Sequence, residues 1–325
     1  MNTSPTWRIT AGCLNRLPTM RHLIGLIKKH YQEDFHWPSS LIVFIFLVAA
    51  IVINSYLDIE DYYIDKVWAG HPIRVLWFFL LFSVPYYLSC WVLHAYGLTG
   101  NAFLSRGFYA RSVFILICMA FDSSFSWHWE WIRSTFDMGY AYWLLRCSNN
   151  LLTLFTIFLP LGIYYYLAKE RTGFYGLGNR NIHWQGYLVL LACVAPLVAG
   201  ASFTEGFQDA YPRYTPYYTS DLPGWIKVVV YELTYGLSFI SVELIFRGFL
   251  VIGMLRILGP QAILPMAALY CVYHFGKPPM EAFSSIFGGY LLGILAYYSR
   301  SIIGGILLHV GLAWMMELAA WLQRQ

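Results

Sequence analysis

The sequence predicts an all-α protein, a polytopic transmembrane helical bundle of eight or nine spans, and three observations carry that prediction. Hydrophobic residues make up 58% of the 325-residue chain and charged residues only 12%, too few to cover a soluble surface of that size. Apolar residues gather in runs of about 20, the length that crosses a bilayer core, and the mean hydropathy is +0.53. Tyrosine and tryptophan are abundant, 26 and 13 residues, as the two headgroup interfaces of a many-helix protein require. Membrane lipid is therefore the first partner that the composition implies.

Taken in order, the spans fall near 37–57, 74–95, 112–131, 141–167, 184–203 and 225–252, with three shorter ones near 261–275, 283–298 and 301–322. Glycines interrupt the last three, so two of them are expected to be tilted or partly buried in protein. The organisation that results is a basic interfacial segment over 1–36, an N-terminal four-helix region over 37–183 and a C-terminal core over 184–325.

The first segment carries Arg8, Arg16, Arg21, Lys28 and Lys29, and the first span begins too late for a cleaved signal peptide. It is expected to lie along the cytoplasmic surface. Arg106, Arg111, Lys169, Arg171 and Arg180 fall on the same side as these residues, and the acidic loop of Asp58, Glu60, Asp61 and Asp65 falls opposite. That asymmetry predicts a cytoplasmic N-terminus. The loop over 204–224, with Tyr211, Tyr214, Tyr217 and Tyr218, reads as an interfacial aromatic belt or as a lip over a substrate.

Some classes are excluded at this point. The net charge is +4, but the basic residues are scattered through short loops rather than gathered in a stripe, which argues against nucleic acid as a partner. The cysteines, Cys13, Cys90, Cys118, Cys147, Cys193 and Cys271, are far apart and form no metal-spaced cluster or Cys-x-x-Cys pair.

Charges inside spans are expensive, and each marks a site or a clamp between helices. Arg146, Asn149 and Asn150 fall at i, i+3 and i+4 of the fourth span, on one helix face. Arg146 needs a buried acceptor there, with Glu232, Asp122 and Glu130 as candidates. In the sixth span Glu243 precedes Arg247 by four residues, the favourable order for an ion pair within a helix. His274, preceded by Tyr270 one turn earlier, and His309 follow in later spans. At about 1.5 Å per residue, Glu243 lies roughly 14 Å from the cytoplasmic end of its helix, His309 roughly 12 Å and His274 roughly 20 Å. A carboxylate and two imidazoles from three helices at similar depth predict one shared polar site. Gly289 and Gly293, and Gly304 and Gly305 ahead of His309, would let those helices approach closely.

These residues resemble the CAAX-protease and bacteriocin-processing family of intramembrane endopeptidases, whose signature is Glu-Glu-x-x-x-Arg, then Phe-x-x-x-His, then His-x-x-x-Asn or Asp. Val242 to Gly248 is similar to the first motif, Tyr270 to His274 to the second and His309 to Ala313 to the third, and the likeness covers roughly residues 184–322. It implies a membrane-bound peptidase acting on a membrane-associated protein or peptide, in a bacterial cytoplasmic membrane, with catalytic Glu243, His274 and His309 and supporting Arg247 and Tyr270. Two departures from the signature matter. Val242 stands where the family has its water-activating glutamate, and Ala313 stands where it has Asn or Asp.

Arg247 beside Glu243 would hold that carboxylate ionised and make it a weak proton acceptor, so a histidine is the better base. Two imidazoles and a carboxylate could also bind zinc, but Glu243 cannot easily serve both Arg247 and a metal, and no cofactor is expected. The alternative is a catalytically impaired pseudoprotease that binds a membrane protein or peptide. A transporter is a third class, opposed by the lack of an inverted repeat between the two halves.

Overall fold

A computed structural model describes residues 19–170, 172–178, 184–216 and 222–324, and among these described residues the chain forms helices and turns without a strand. The expectations for Arg8, Arg16, Arg171, Arg180, Tyr217 and Tyr218 fall outside the described residues. An amphipathic helix, α1 (Thr19–Glu33), comes first. Then follow α2 (Trp37–Leu57), a π-helical stretch over Ile59–Lys66, α3 (Arg74–Ala95), α4 (Arg106–Ser124), the short α5 (His128–Thr135) and α6 (Met138–Leu167). The second half holds α7 (Trp184–Ala201), the short α8 (Glu205–Ala210), α9 (Gly224–Glu243), a π-helical continuation over Leu244–Gly253 and the single turn α10 (Leu255–Leu258). It closes with α11 (Ile263–Val272), α12 (Pro279–Ser299) and α13 (Ile303–Gln323).

Among the described residues eight stretches are long and apolar enough to cross a membrane, and the protein is an integral membrane protein. The expected spans near 225–252 and 261–275 belong to one continuous stretch of 49 residues, Gly224–Val272. That is twice the ~20 residues a crossing needs, so the chain enters along α9 and its π-helical continuation and turns back along α11. With ten residues, α11 is about 15 Å long, half a bilayer core. Every residue of it except Leu264 is buried, which a helix surrounded by α2, α3 and α12 requires.

The structure corrects two other boundaries. The third span, expected at 112–131, starts at Arg106 and extends to Thr135, and its main helix, α4, stops at Ser124. Its start extends outward because Ser105 caps the helix, accepting from the Phe108 N–H at 3.1 Å, and because Arg111 is paired with Glu170. The helix stops there because Phe125 is extended. The eighth begins at Pro279 rather than 283, with proline in the first helical position where its missing N–H costs nothing.

The second half forms the centre. There α9 packs against α6 and α13, α13 packs against α7, and α11 packs against α12 and α3. Gly289 of α12 makes the last of these contacts possible, since a Cβ there would lie 2.6 Å from Cδ1 of Tyr270. The loop after α7 also differs from an aromatic belt. Tyr211 and Tyr214 are 2% and 3% exposed, because Tyr214 packs between Tyr142 and Tyr231 and Tyr211 hydrogen-bonds to Glu281.

Candidate active site

Glu243 closes the last regular turn of α9, and Arg247 lies one turn further on in the π-helical continuation, a kind of irregularity that often marks functional positions. Both side chains are fully buried, and Arg247 Nη1 donates to Glu243 Oε1 at 2.9 Å. A buried pair of this kind holds only with good geometry, since desolvation opposes it. From α13, His309 places Nδ1 2.8 Å from the same Oε1. Gly305 permits that approach, as a Cβ there would fall 2.1 Å from Glu243 Oε2.

The bonding fixes the tautomer of His309. A carboxylate that accepts from arginine has only acceptor oxygens, so Nδ1 carries the proton and Nε2 the lone pair. The Tyr270 hydroxyl therefore donates to Nε2, at 2.6 Å. Phe239, one turn ahead of Glu243, stacks on the His309 ring with centroids 4.8 Å apart. The Arg247 guanidinium lies over the Tyr270 ring, 4.2 Å from its centroid.

His274 lies in the turn beyond α11. Its Nδ1 is 2.8 Å from the Tyr270 carbonyl, an acceptor, so Nδ1 carries the proton and Nε2 is again left as an acceptor. Burial pushes this imidazole down to about 3, and Lys277, His309 and Arg247 push the same way against the backbone hydrogen bond. It is neutral at physiological pH. Its ring packs edge-on against that of Tyr270, 4.4 Å between centroids.

The structure thus joins Glu243, Arg247, Tyr270 and His309 through side-chain contacts and joins His274 to them through the Tyr270 backbone. The two positions where the signature has a polar group and this chain does not are both apolar in place. Val242 packs against the main hydrophobic core, and Ala313 is buried one turn after His309. Two other carboxylates on these helices, Glu317 and Glu232, make no hydrogen bond to either histidine among the described residues. Glu317 accepts the Arg213 backbone N–H on both oxygens at 3.0 Å, and Glu232 Oε2 is buried with no hydrogen bond among the described residues.

The three residues of the second polar group find separate partners. Asn149 accepts from Trp129 Nε1 of α5 and pairs with His128 Nε2, each at 3.0 Å. Asn150 instead reaches Thr234 of α9 at 3.4 Å. Arg146 lies over the Tyr142 ring, 5.2 Å from its centroid. None of the three carboxylates proposed for it is its partner, and Asp122 is taken by Thr153 and Thr156 of α6. Helical spacing puts residues on one face, but two neighbouring helices, α5 and α9, share that face, and Arg146 stays on its own helix.

A group that was not singled out from sequence borders the site. Lys277 lies 3.4 Å from Glu281 and donates to the Tyr211 hydroxyl at 3.2 Å, while Tyr211 donates to Glu281 at 2.9 Å. The Lys277 N–H donates to the His274 carbonyl at 3.0 Å. The i, i+4 spacing of Lys277 and Glu281 was the visible signal. On the other side of Lys277 a cavity of about 280 Å³ is lined by Glu60, Asp65, Tyr273 and Gly276. Glu60, Asp61 and Asp65 are also the one set among the described residues whose donor atoms converge as a metal site would require.

Residues 224–315 match the family model of the type II CAAX prenyl endopeptidases, Rce1-like. The matched stretch starts at the first residue of α9 and includes Glu243, Arg247, Tyr270, His274 and His309. No curated protein and no solved structure matches the chain.

Proposed function

We propose that the chain is a peptidase of the kind whose family model residues 224–315 match, the Rce1-like type II CAAX prenyl endopeptidases, and that it hydrolyses a peptide bond in a membrane-associated protein or peptide by attack of water at the Glu243, His274 and His309 site. The observation that supports this most is the hydrogen bond between His309 and Glu243. It joins residues 66 positions apart in sequence across two helices, at a buried place where a polar contact has to be built. In this reading Glu243 holds His309 in one tautomer and stabilises it when it takes a proton, the role a carboxylate plays beside a catalytic imidazole. The neutral His274 presents Nε2 as an acceptor that fixes the attacking water. Peptides with lipidated C-terminal motifs are the substrates that the family name favours.

The test is reconstitution in proteoliposomes with a library of lipidated and membrane-anchored peptides, with products read by mass spectrometry. Wild type is expected to cleave, and His309→Ala and His274→Ala are each expected to lose cleavage.

A second reading, a pseudoprotease that binds its partner without cutting it, is favoured by one observation. Val242 packs against the core where the family has a carboxylate. Silence from wild type with cleavage by Val242→Glu would decide for this reading.

A further inference from the structure

We propose that the Tyr270 hydroxyl is a catalytic group of this site, passing a proton from the attacking water to His309. The proposal rests on the peptidase reading above and answers a difficulty that the geometry creates for it. Water must lose a proton as it attacks, and the usual acceptors are occupied or missing. Position 242 carries valine, turned into the core. Glu243 Oε1 already accepts from both Arg247 and His309, and Oε2, without a hydrogen bond among the described residues, is buried facing Gly305 of α13 and so shut off from water. His274 is the wrong base, since burial makes its imidazole resist protonation. His309 has the right chemistry, with a carboxylate to stabilise its charged form, but its free lone pair on Nε2 faces the Tyr270 hydroxyl at 2.6 Å. A proton reaches His309 through that oxygen.

The order of atoms is carboxylate, imidazole, hydroxyl. Glu243 Oε1 to Nδ1 is 2.8 Å and Nε2 to the Tyr270 oxygen is 2.6 Å, the arrangement by which a base oriented by a third group activates a hydroxyl. Tyr270 also sits beside the water's other holder, with its ring against that of His274 and its carbonyl accepting from His274 Nδ1. The signature that this stretch resembles is written with phenylalanine at this position, so the signature itself assigns no role to a hydroxyl here.

The step balances. The Tyr270 proton moves to His309 Nε2, and the phenolate oxygen takes a proton from water as the water oxygen bonds to the peptide carbonyl carbon. When the C–N bond breaks, the amine nitrogen takes a proton from the Tyr270 hydroxyl, which is refilled from His309. One peptide bond and one water O–H are exchanged for a carboxyl C–O and an amine N–H, and no other reactant is used.

The experiment compares full-length wild type, Tyr270→Phe and His309→Ala in proteoliposomes with the same peptide library, together with nitrogen-15 spectra of labelled histidine. Expected are wild-type cleavage, a loss of about 100-fold or more in kcat at similar KM for Tyr270→Phe, the size of a general acid–base contribution, and a His309 Nε2 resonance that moves when the hydroxyl is removed. If Tyr270→Phe does not fold, 3-fluorotyrosine at position 270 takes its place, and the alkaline limb of the rate profile is expected to move to lower pH. Tyr270→Phe, or the fluorinated protein with an unmoved limb, cleaving like wild type while His309→Ala is dead overturns the relay and leaves the peptidase. A wild-type His309 protonated at Nε2 overturns the relay as well. No cleavage by wild type, with Val242→Glu active, overturns both.

Discussion

The two groups of polar residues inside the bundle look alike in sequence and differ in the fold. Arg146, Asn149 and Asn150 are closer together along the chain than Glu243, His274 and His309, yet they separate onto α5, α9 and the face of Tyr142. The distant residues meet. The difference comes from what each helix has as neighbours. Positions three and four apart on one helix point at adjacent but distinct partners, and each amide finishes as a local clamp. Glu243 instead sits where α9, α11 and α13 approach, with glycine in α13 facing its carboxylate, so several donors can reach one oxygen. Intramembrane polar residues therefore announce a contact, and small residues on the facing helices distinguish a site from a clamp.

That distinction is broken most severely by removing one partner of the buried pair. Arg247→Met leaves Glu243 charged and buried with only His309 beside it, and the expected loss is about 3–5 kcal/mol of stability, read as a lower melting temperature in detergent. Adding Glu243→Gln to that variant should recover much of the loss, because the uncompensated charge is gone. A single variant that melts like wild type would place Arg247 outside the network. On the clamp side, Asn149→Ala is expected to cost about 1 kcal/mol, the scale of a net hydrogen bond, and to leave peptide cleavage unchanged. Cleavage that falls with Asn149→Ala would mean that the two regions are coupled.

Much of the fold was legible because hydropathy runs translate directly into spans, and the pairing of Glu243 with Arg247 was legible because i, i+4 spacing is local. The family motifs also pointed to His274 and His309. What sequence hid was contact between elements. The motif pointed to Tyr270 as a supporting residue, but nothing local shows that its hydroxyl meets His309 39 positions away. Asp122 was open as a partner for Arg146 until its oxygens were seen taken by Thr153 and Thr156. The burial of Tyr211 was hidden for the same reason, since Glu281 lies 70 positions further on.

An effect that shows only in acid concerns the turn that carries His274. Burial holds its imidazole at about 3 in the folded protein against 6.5 for the free group, so the unfolded chain binds the extra proton first. Between those two values the unfolded state holds more protons than the folded one, and stability must fall as pH is lowered through that window. Above about pH 6.5 both states hold the group neutral and its contribution is flat. Melting temperatures of wild type and His274→Asn across pH 4 to 8 measure this part of the slope. The variant is expected to melt with a shallower acid dependence than wild type and with the same dependence above pH 7. Equal slopes in the acid range would mean that His274 is protonated in the fold, with its Nε2 donating rather than accepting, and the water-fixing role given to it would be lost.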